Sequence, residues 1–431
     1  MYNEGTIAMK NAGQDWYQLD NAAKIFPGQN SRTWSNVFRV GVELQKKVDP
    51  LLLKTALNQV LDRFPTFDVR LKHGLFWHYF EKNPHEADVQ PDVKNICYRI
   101  NFKENRGFLF RVYYHDKRIA VDFFHALGDG YANTVFVSTL VAQYLRLCGA
   151  EIGCGGAVLD LNDEPTAEEQ SDAYRQYADS KAKYDRRDKN MYHAQGIKEG
   201  SHLCNYTIGV MSASQLNEAA KRCGATLTEF LAAQLLDIHY QKQLREEKKQ
   251  KELCIQIPVD LRRHFPSKTL RNFVVCIRVK LNPAMGDYTF EEILRQVQLQ
   301  MKLQNEPKFL NSMMTQNMKV ERNVALRATP LWLKDLVVGI SFAITAEQTT
   351  TALLSNIGKV ELPPEMYPYI EKYMFFTGPG QRNGGRCGVI SCGDTLCLTV
   401  SNCYRETEIE RELFTRLVKL GVHVKIESNR V

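Results

Sequence analysis

The sequence predicts an α+β fold of two lobes, each a mixed sheet carrying helices. Three observations lead there. At 431 residues the chain is longer than one ordinary core accommodates. Both halves mix strand-like alternation, hairpin signals and helix-period stretches, which suits α+β layers better than a doubly wound parallel sheet. No G-x-G-x-x-G follows a strand and no Walker A loop occurs, so dinucleotide and P-loop architectures lack support. The expected division is an N-terminal lobe over 1–160, a crossover over 161–204 and a C-terminal lobe over 205–431.

The elements follow in order. "WSNVFRVGVEL" (34–44) alternates as a half-buried strand does. Asp49 and Pro50 then open a helix as N-cap and first helical residue, with Leu53, Ala56, Leu57, Val60 and Leu61 as its apolar stripe. "DVRLKHGLFWHYF" reads as a hairpin about Gly74, and "RGFLFRVYYHDKRIAVDFFH" as two strands joined at "HDK". A helix starts at Gly130 and stops at Gly149. The polar stretch 149–190 reads as a crossover lying on the surface. A strand, a helix, a loop and a helix through "NYTIGVMSASQLNEAAKRCGATLTEFLAAQLLDIHYQKQL", strands at "CIQIPVDLRRHF" and "NFVVCIRVKL", a helix across 290–304, a hairpin turning at Gly393-Asp394, and a closing helix over 406–420 with the strand "VHVKI" complete the chain.

Composition narrows the function classes. Apolar residues make up 44% and charged ones 24%, the balance of a soluble globular protein. The net charge of +7 is dispersed, and the densest run, "QLREEKKQKE", mixes both signs, so a nucleic-acid surface is not expected. The N-terminus lacks the basic and apolar pattern of a secretory signal. "LWLKDLVVGISFAIT" (331–345) is shorter than the roughly 20 apolar residues of a spanning helix and contains Lys334 and Asp335, so a packed helix is expected and no transmembrane segment. Eleven cysteines include no C-x-x-C pair. They read as reduced thiols of a cytoplasmic chain, and the Cys387, Cys392, Cys397 and Cys403 series lacks the paired spacing of structural zinc, so no metal is expected.

The chemistry concentrates in "AVDFFHALGDGYANTVF" (120–136). Strand alternation delivers His125 at the strand end, where functional side chains gather. Gly128 and Gly130 permit positive φ and a tight return of the chain, and Asp129 serves either as helix cap or as partner of an arginine. An imidazole so held suits proton abstraction from a hydroxyl, amine or thiol attacking a carbonyl. G-x-S-x-G is absent, so a covalent acyl-enzyme has no support.

H-A-L-G-D-G at 125–130 resembles the H-x-x-x-D-G signature of the acyltransferase superfamily that includes chloramphenicol acetyltransferase, peptide-synthetase condensation domains, and alcohol, polyketide-associated and wax-ester acyltransferases. "WYQLDNAAKIFP" (16–27) is similar to the opening of the alcohol acetyltransferase-like branch. "LLLKTALNQVLDRFPTFDVRL", "TLTEFLAAQLL", "PVDLRRHFPSKTLRNFVV" and "LLSNIGKVELP" resemble further landmarks along the chain. The resemblance implies two lobes with a channel between them, acyl-CoA or acetyl-CoA as cosubstrate rather than a resident cofactor, and a small-molecule acceptor. His125 is the implied general base, and Asp129 the implied member of a structural salt bridge orienting the loop. Arg70, ahead of Arg63, is the expected partner of Asp129. Ser355 or Asn356 is expected either to donate to the oxyanion or to close a turn, and Arg262 and Arg263 either to meet CoA phosphates or to sit on the surface.

Phe124 replaces the second histidine typical of condensation domains, and D-F-G-W-G of the plant branch is missing. The leading expectation is therefore O-acyl transfer from CoA to an alcohol or small hydroxylated metabolite. The alternatives are a condensation-type N-acyltransferase using a carrier-protein thioester and a catalytically silent two-lobed scaffold.

Overall fold

The computed structural model describes residues 16–30, 35–179, 181, 190–200, 203–341, 348–378, 380 and 385–430. The opening residues 1–15 and the end of the apolar stretch at 342–345 therefore lie outside the described residues.

Two larger sheets organise the molecule. The first has five strands in the order Ile370–Phe376, Val37–Leu44, Arg118–Phe124, Phe110–His115, Val89–Pro91. Its centre is antiparallel, with Val40 opposite Val121 and Val112 opposite Val121 on the other side. Helices Pro50–Arg63 and Gly130–Leu147 pack on each other and against this sheet. Asp49 caps the first helix by accepting from Leu51 N at 2.8 Å, and the predicted stripe Leu53, Ala56, Leu57, Val60 and Leu61 is buried. Phe67 and Phe136 stack at 4.8 Å, with Phe64 and Phe123 edge-on. Each such buried side chain contributes about 1.5–3 kcal/mol.

The second sheet has seven strands, in the order Val274–Leu281, Leu253–Asp260, Ala352–Val360, Arg386–Cys392, Thr395–Asn402, Asn205–Ser212, Val424–Ser428. Helices Leu227–Glu246 and Phe290–Gln304 cover it, each opened by a capping box in which Thr226 or Thr289 exchanges bonds with a glutamate three residues on. A small sheet joins the hairpin Val69–His73/His78–Lys82 to Trp16–Gln18.

Strand Ile370–Phe376 ties the halves together. It comes from late in the chain yet pairs antiparallel with Val37–Leu44 in the five-stranded sheet, Phe375 opposite Val40. Its backbone also crosses the seven-stranded sheet: Thr399 Oγ1 donates to Phe375 O at 2.5 Å. A Cβ on Gly388 would stand 2.4 Å from that same carbonyl, so this crossing requires glycine.

Two expectations need correction. The 149–190 stretch is not simply laid on the surface, because Tyr174 is buried and its hydroxyl bonds both Val274 O (2.6 Å) and Val274 N (2.9 Å). Its Glu169 also receives the Arg63 guanidinium at 2.8 Å. The helix read in the apolar stretch spans Leu331–Ser341 but packs by one side only, leaving Trp332, Leu336, Val337 and Ile340 exposed. Among the described residues no helix is long and apolar enough to cross a membrane.

Candidate active site

His125 follows the strand Arg118–Phe124 directly, and its backbone N–H donates to Asn36 O at 2.8 Å. The ring is half-buried, stacked on Phe26 at 4.7 Å and met edge-on by Phe38 at 4.9 Å. These two rings fix its plane. One ring nitrogen is committed: Nδ1 lies 3.1 Å from Asn272 Oδ1.

The surrounding bonds settle which tautomer this is. Asn272 Nδ2 faces two acceptors, Asp20 Oδ2 at 3.2 Å and His125 O at 3.1 Å. An amide NH₂ only donates, so these two acceptors orient the group and leave Oδ1 toward the imidazole. Nδ1 must then carry the proton it donates to Oδ1. Nε2 keeps its lone pair and has no hydrogen-bond partner among the described residues.

Asp20 anchors this relay. It is fully buried, accepts from Ala23 N at 2.8 Å and lies 3.7 Å from Arg271 Nε. Burial raises its pKa, against the pull of Arg271 and of the N–H groups of Ala23 and Asn272. Sequence reasoning missed both Asp20 and Asn272. They stand within "WYQLDNAAKIFP" and "TLRNFVV", but only tertiary structure joins positions 252 residues apart.

Asp129 takes both roles that were open to it. Oδ1 caps the helix Gly130–Leu147 by accepting from Ala132 N at 3.0 Å, and Oδ2 accepts from Arg262 Nη1 and Phe273 N, each at 2.8 Å. Its arginine is neither Arg70 nor Arg63. Arg70 is spent on Glu81 across its own hairpin, and Arg63 on Glu169. Arg262 is likewise no surface phosphate contact. Its side chain is only 7% exposed, and its five N–H groups meet Asp129, Asp260, Thr269 O twice and Arg271 O. Tyr131 lies against the guanidinium at 4.7 Å. Asp20 and Asp129 together hold the backbone N–H groups of Asn272 and Phe273, so the motif loop and the 269–273 segment are bound as one unit.

The two motif glycines serve close approach rather than positive φ, since neither is among the left-handed residues. A Cβ on Gly128 would stand 3.2 Å from Leu270 O and 3.1 Å from Ala132 Cβ, and one on Gly130 3.2 Å from Ile357. Ile357 belongs to the strand Ala352–Val360, which also carries Ser355 and Asn356, so neither of these sits in a turn after the strand. Asn356 donates to Thr228 Oγ1 at 3.0 Å and accepts from Gly358 N at 2.9 Å, shaping the bulge at 356–358. Ser355 is half-buried, with no side-chain hydrogen bond to a described residue. Arg263 is exposed near Gly358. Cys387, Cys392 and Cys397 are buried in two neighbouring strands, where burial pushes their thiols up to about 12, 11 and 12.

A cavity of about 680 Å³ is lined by Trp16, Leu19, Lys24, Trp77, Glu321 and Arg327, among others. It shares the 16–24 segment with Asp20, but His125 is not among its lining residues.

The folds of solved proteins decide the architecture. The chain matches Fusarium graminearum TRI101 complexed with ethyl coenzyme A at a TM-score of 0.62 and 11% identity, covering 96% of this chain and 99% of that one. It matches the condensation domain of the Monacolin K polyketide synthase MokA at 0.58 and 12%, covering 95% and 97%.

The chain has the fold of the condensation and acetyltransferase proteins.

TRI3 trichothecene 15-O-acetyltransferase from Fusarium sporotrichioides shares this condensation–acetyltransferase fold at 0.58 and 13% identity, covering 95% of this chain and 96% of that one. No family model and no curated protein matches the chain.

Burial lowers the His125 pKa, and the positive charge of Arg386 adds to that shift. A lowered pKa keeps the ring neutral to a pH below the ordinary histidine value of about 6.5. For a reaction in which His125 acts as the base, the acid limb of kcat/KM is expected below that value, read from a rate profile at subsaturating acceptor. A limb at or above it contradicts this account of the ring's surroundings.

Proposed function

We propose that the chain is a CoA-dependent acyltransferase that passes the acyl group directly from the thioester to the hydroxyl of a small acceptor. The observation that carries this reading is the His125 ring, with Nδ1 held as a donor by Asn272 and Nε2 left as a free acceptor at the end of a rigid strand. The shared fold with a protein complexed with ethyl coenzyme A supports a CoA thioester as donor.

In the proposed reaction Nε2 takes the acceptor's proton as its oxygen attacks the thioester carbonyl. A C–O bond forms, the C–S bond breaks, and the imidazolium returns its proton to the departing CoA sulfur. Asn272 Oδ1 accepts from Nδ1–H throughout and steadies the transient positive charge. Ser355 Oγ is the proposed donor to the oxyanion, a role Asn356 serves less well because both ends of its amide are already engaged. Asp129 and Arg262 act on the loop and touch no substrate.

The test is release of free CoA thiol from acetyl-CoA and longer acyl-CoAs across a panel of alcohols and amines. Thiol release that depends on a hydroxylated acceptor is expected. Transfer to amines from a carrier-bound thioester, with none from CoA, would instead favour the condensation-type reaction. A wholly silent panel with retained acyl binding would favour the scaffold.

A further inference from the structure

One surface of the molecule reverses the usual arrangement of a surface helix. Helix Leu331–Ser341 turns its charged residues inward: Lys334 Nζ lies 3.7 Å from the Trp77 ring, and Asp335 pairs with His78 Nε2 at 3.0 Å. Its apolar residues Trp332, Leu336, Val337 and Ile340 recur at helical spacing along the other side and are 51–69% exposed. Two adjoining elements also expose apolar side chains. The hairpin tip exposes Leu75 (74%) and Phe76 (39%), and the short helix Val324–Ala328 exposes Val324 (79%). Leu331 N donates to Leu75 O at 3.0 Å, and Lys334 Nζ to Phe76 O at 2.8 Å and Arg327 O at 3.3 Å, so the three elements adjoin.

Its charge has a sign. Glu321 and Asp335 are engaged by Lys24 and His78. Arg322 and Arg327 are exposed and make no ion pair with a described residue. Trp332, Leu336, Val337 and Ile340 are more than half exposed and none of them lines the cavity, so they suit a surface that can be penetrated better than a partner helix. A tryptophan among aliphatic residues, bordered by arginines, is the composition of an interfacial helix. We propose that this face docks on an anionic lipid surface. Trp332, Leu336 and Leu75 enter the headgroup region, and Arg322 and Arg327 meet the phosphates.

This inference does not depend on the transfer reaction, since vesicle binding and thiol release are read separately. The test is co-sedimentation of the full chain with phosphatidylcholine vesicles, with and without phosphatidylserine. Binding is expected with phosphatidylserine, weakened by salt. Trp332→Glu with Leu336→Glu is expected to lower it about tenfold or more at unchanged melting temperature. Arg322→Glu with Arg327→Glu is expected to remove the preference for phosphatidylserine. Absence of binding to both vesicles, or equal binding by the Trp332/Leu336 variant, overturns the proposal. So does a concentration-dependent dimer that this variant abolishes while vesicles remain unbound, which would make a second copy the occupant.

Discussion

His125→Ala is expected to lower acceptor-dependent CoA release by about 10²–10⁴-fold, the contribution of a positioned general base. The loss should fall on chemistry rather than folding. The backbone bond from residue 125 to Asn36 O survives the substitution, as do the Asp129 cap and the buried strand before it. What disappears is Nε2, together with ring contacts to Phe26 and Phe38 at the edge of the core. kcat should therefore collapse with the thermal transition nearly in place. Unchanged thiol release in the folded variant would remove the imidazole from the reaction.

Arg262→Met is expected to destabilise the protein by about 3–5 kcal/mol, because it strips the partner from the buried Asp129 carboxylate. The cost exceeds that of one ion pair. Asp260 loses the guanidinium, keeping only the backbone N–H of residue 262, and the carbonyls of Thr269 and Arg271 lose their side-chain donors in the same step. Arg262→Lys keeps the charge but cannot reproduce five donors in a planar fork, so it should rescue only in part. Arg70→Ala is the control. Arg70 and Glu81 are each about a third exposed, so water screens the pair and its loss should cost little. Denaturant midpoints of the three variants separate the two arginines. Equal, small effects would show that Arg262 does not hold the motif loop.

The parts of this molecule visible in its sequence are those specified locally. The strand within 34–44, the Asp49-Pro50 cap and the Gly393-Asp394 hairpin each depend on neighbours a few residues apart and each is present, but Val37–Leu44 is buried on both faces rather than half-buried, because Arg39 is paired inside with Asp122 and Asp92. His125 at a strand end was legible for the same reason. Its supports were not. The partner of Asp129 lies 133 residues away, and many arginines in the chain satisfy the charge requirement equally well. Arg70 was favoured because it shares the N-terminal half, whereas the actual pair bridges the two halves, which no local pattern records. The same holds for strand Ile370–Phe376, whose membership of the first sheet is a matter of topology rather than propensity. Gly128 and Gly130 do not take the positive φ that the sequence suggests; their close approach to Leu270 and Ile357 arises only on packing.

The central claim is that Nε2 of His125 receives a proton from the attacking acceptor. A crystal structure with a non-hydrolysable acyl-CoA thioether and a bound acceptor tests it most directly. The account predicts the acceptor hydroxyl about 2.6–3.2 Å from Nε2, with Nδ1 still on Asn272. An acceptor hydroxyl bonded to a different base, with Nε2 facing packed protein, would contradict it.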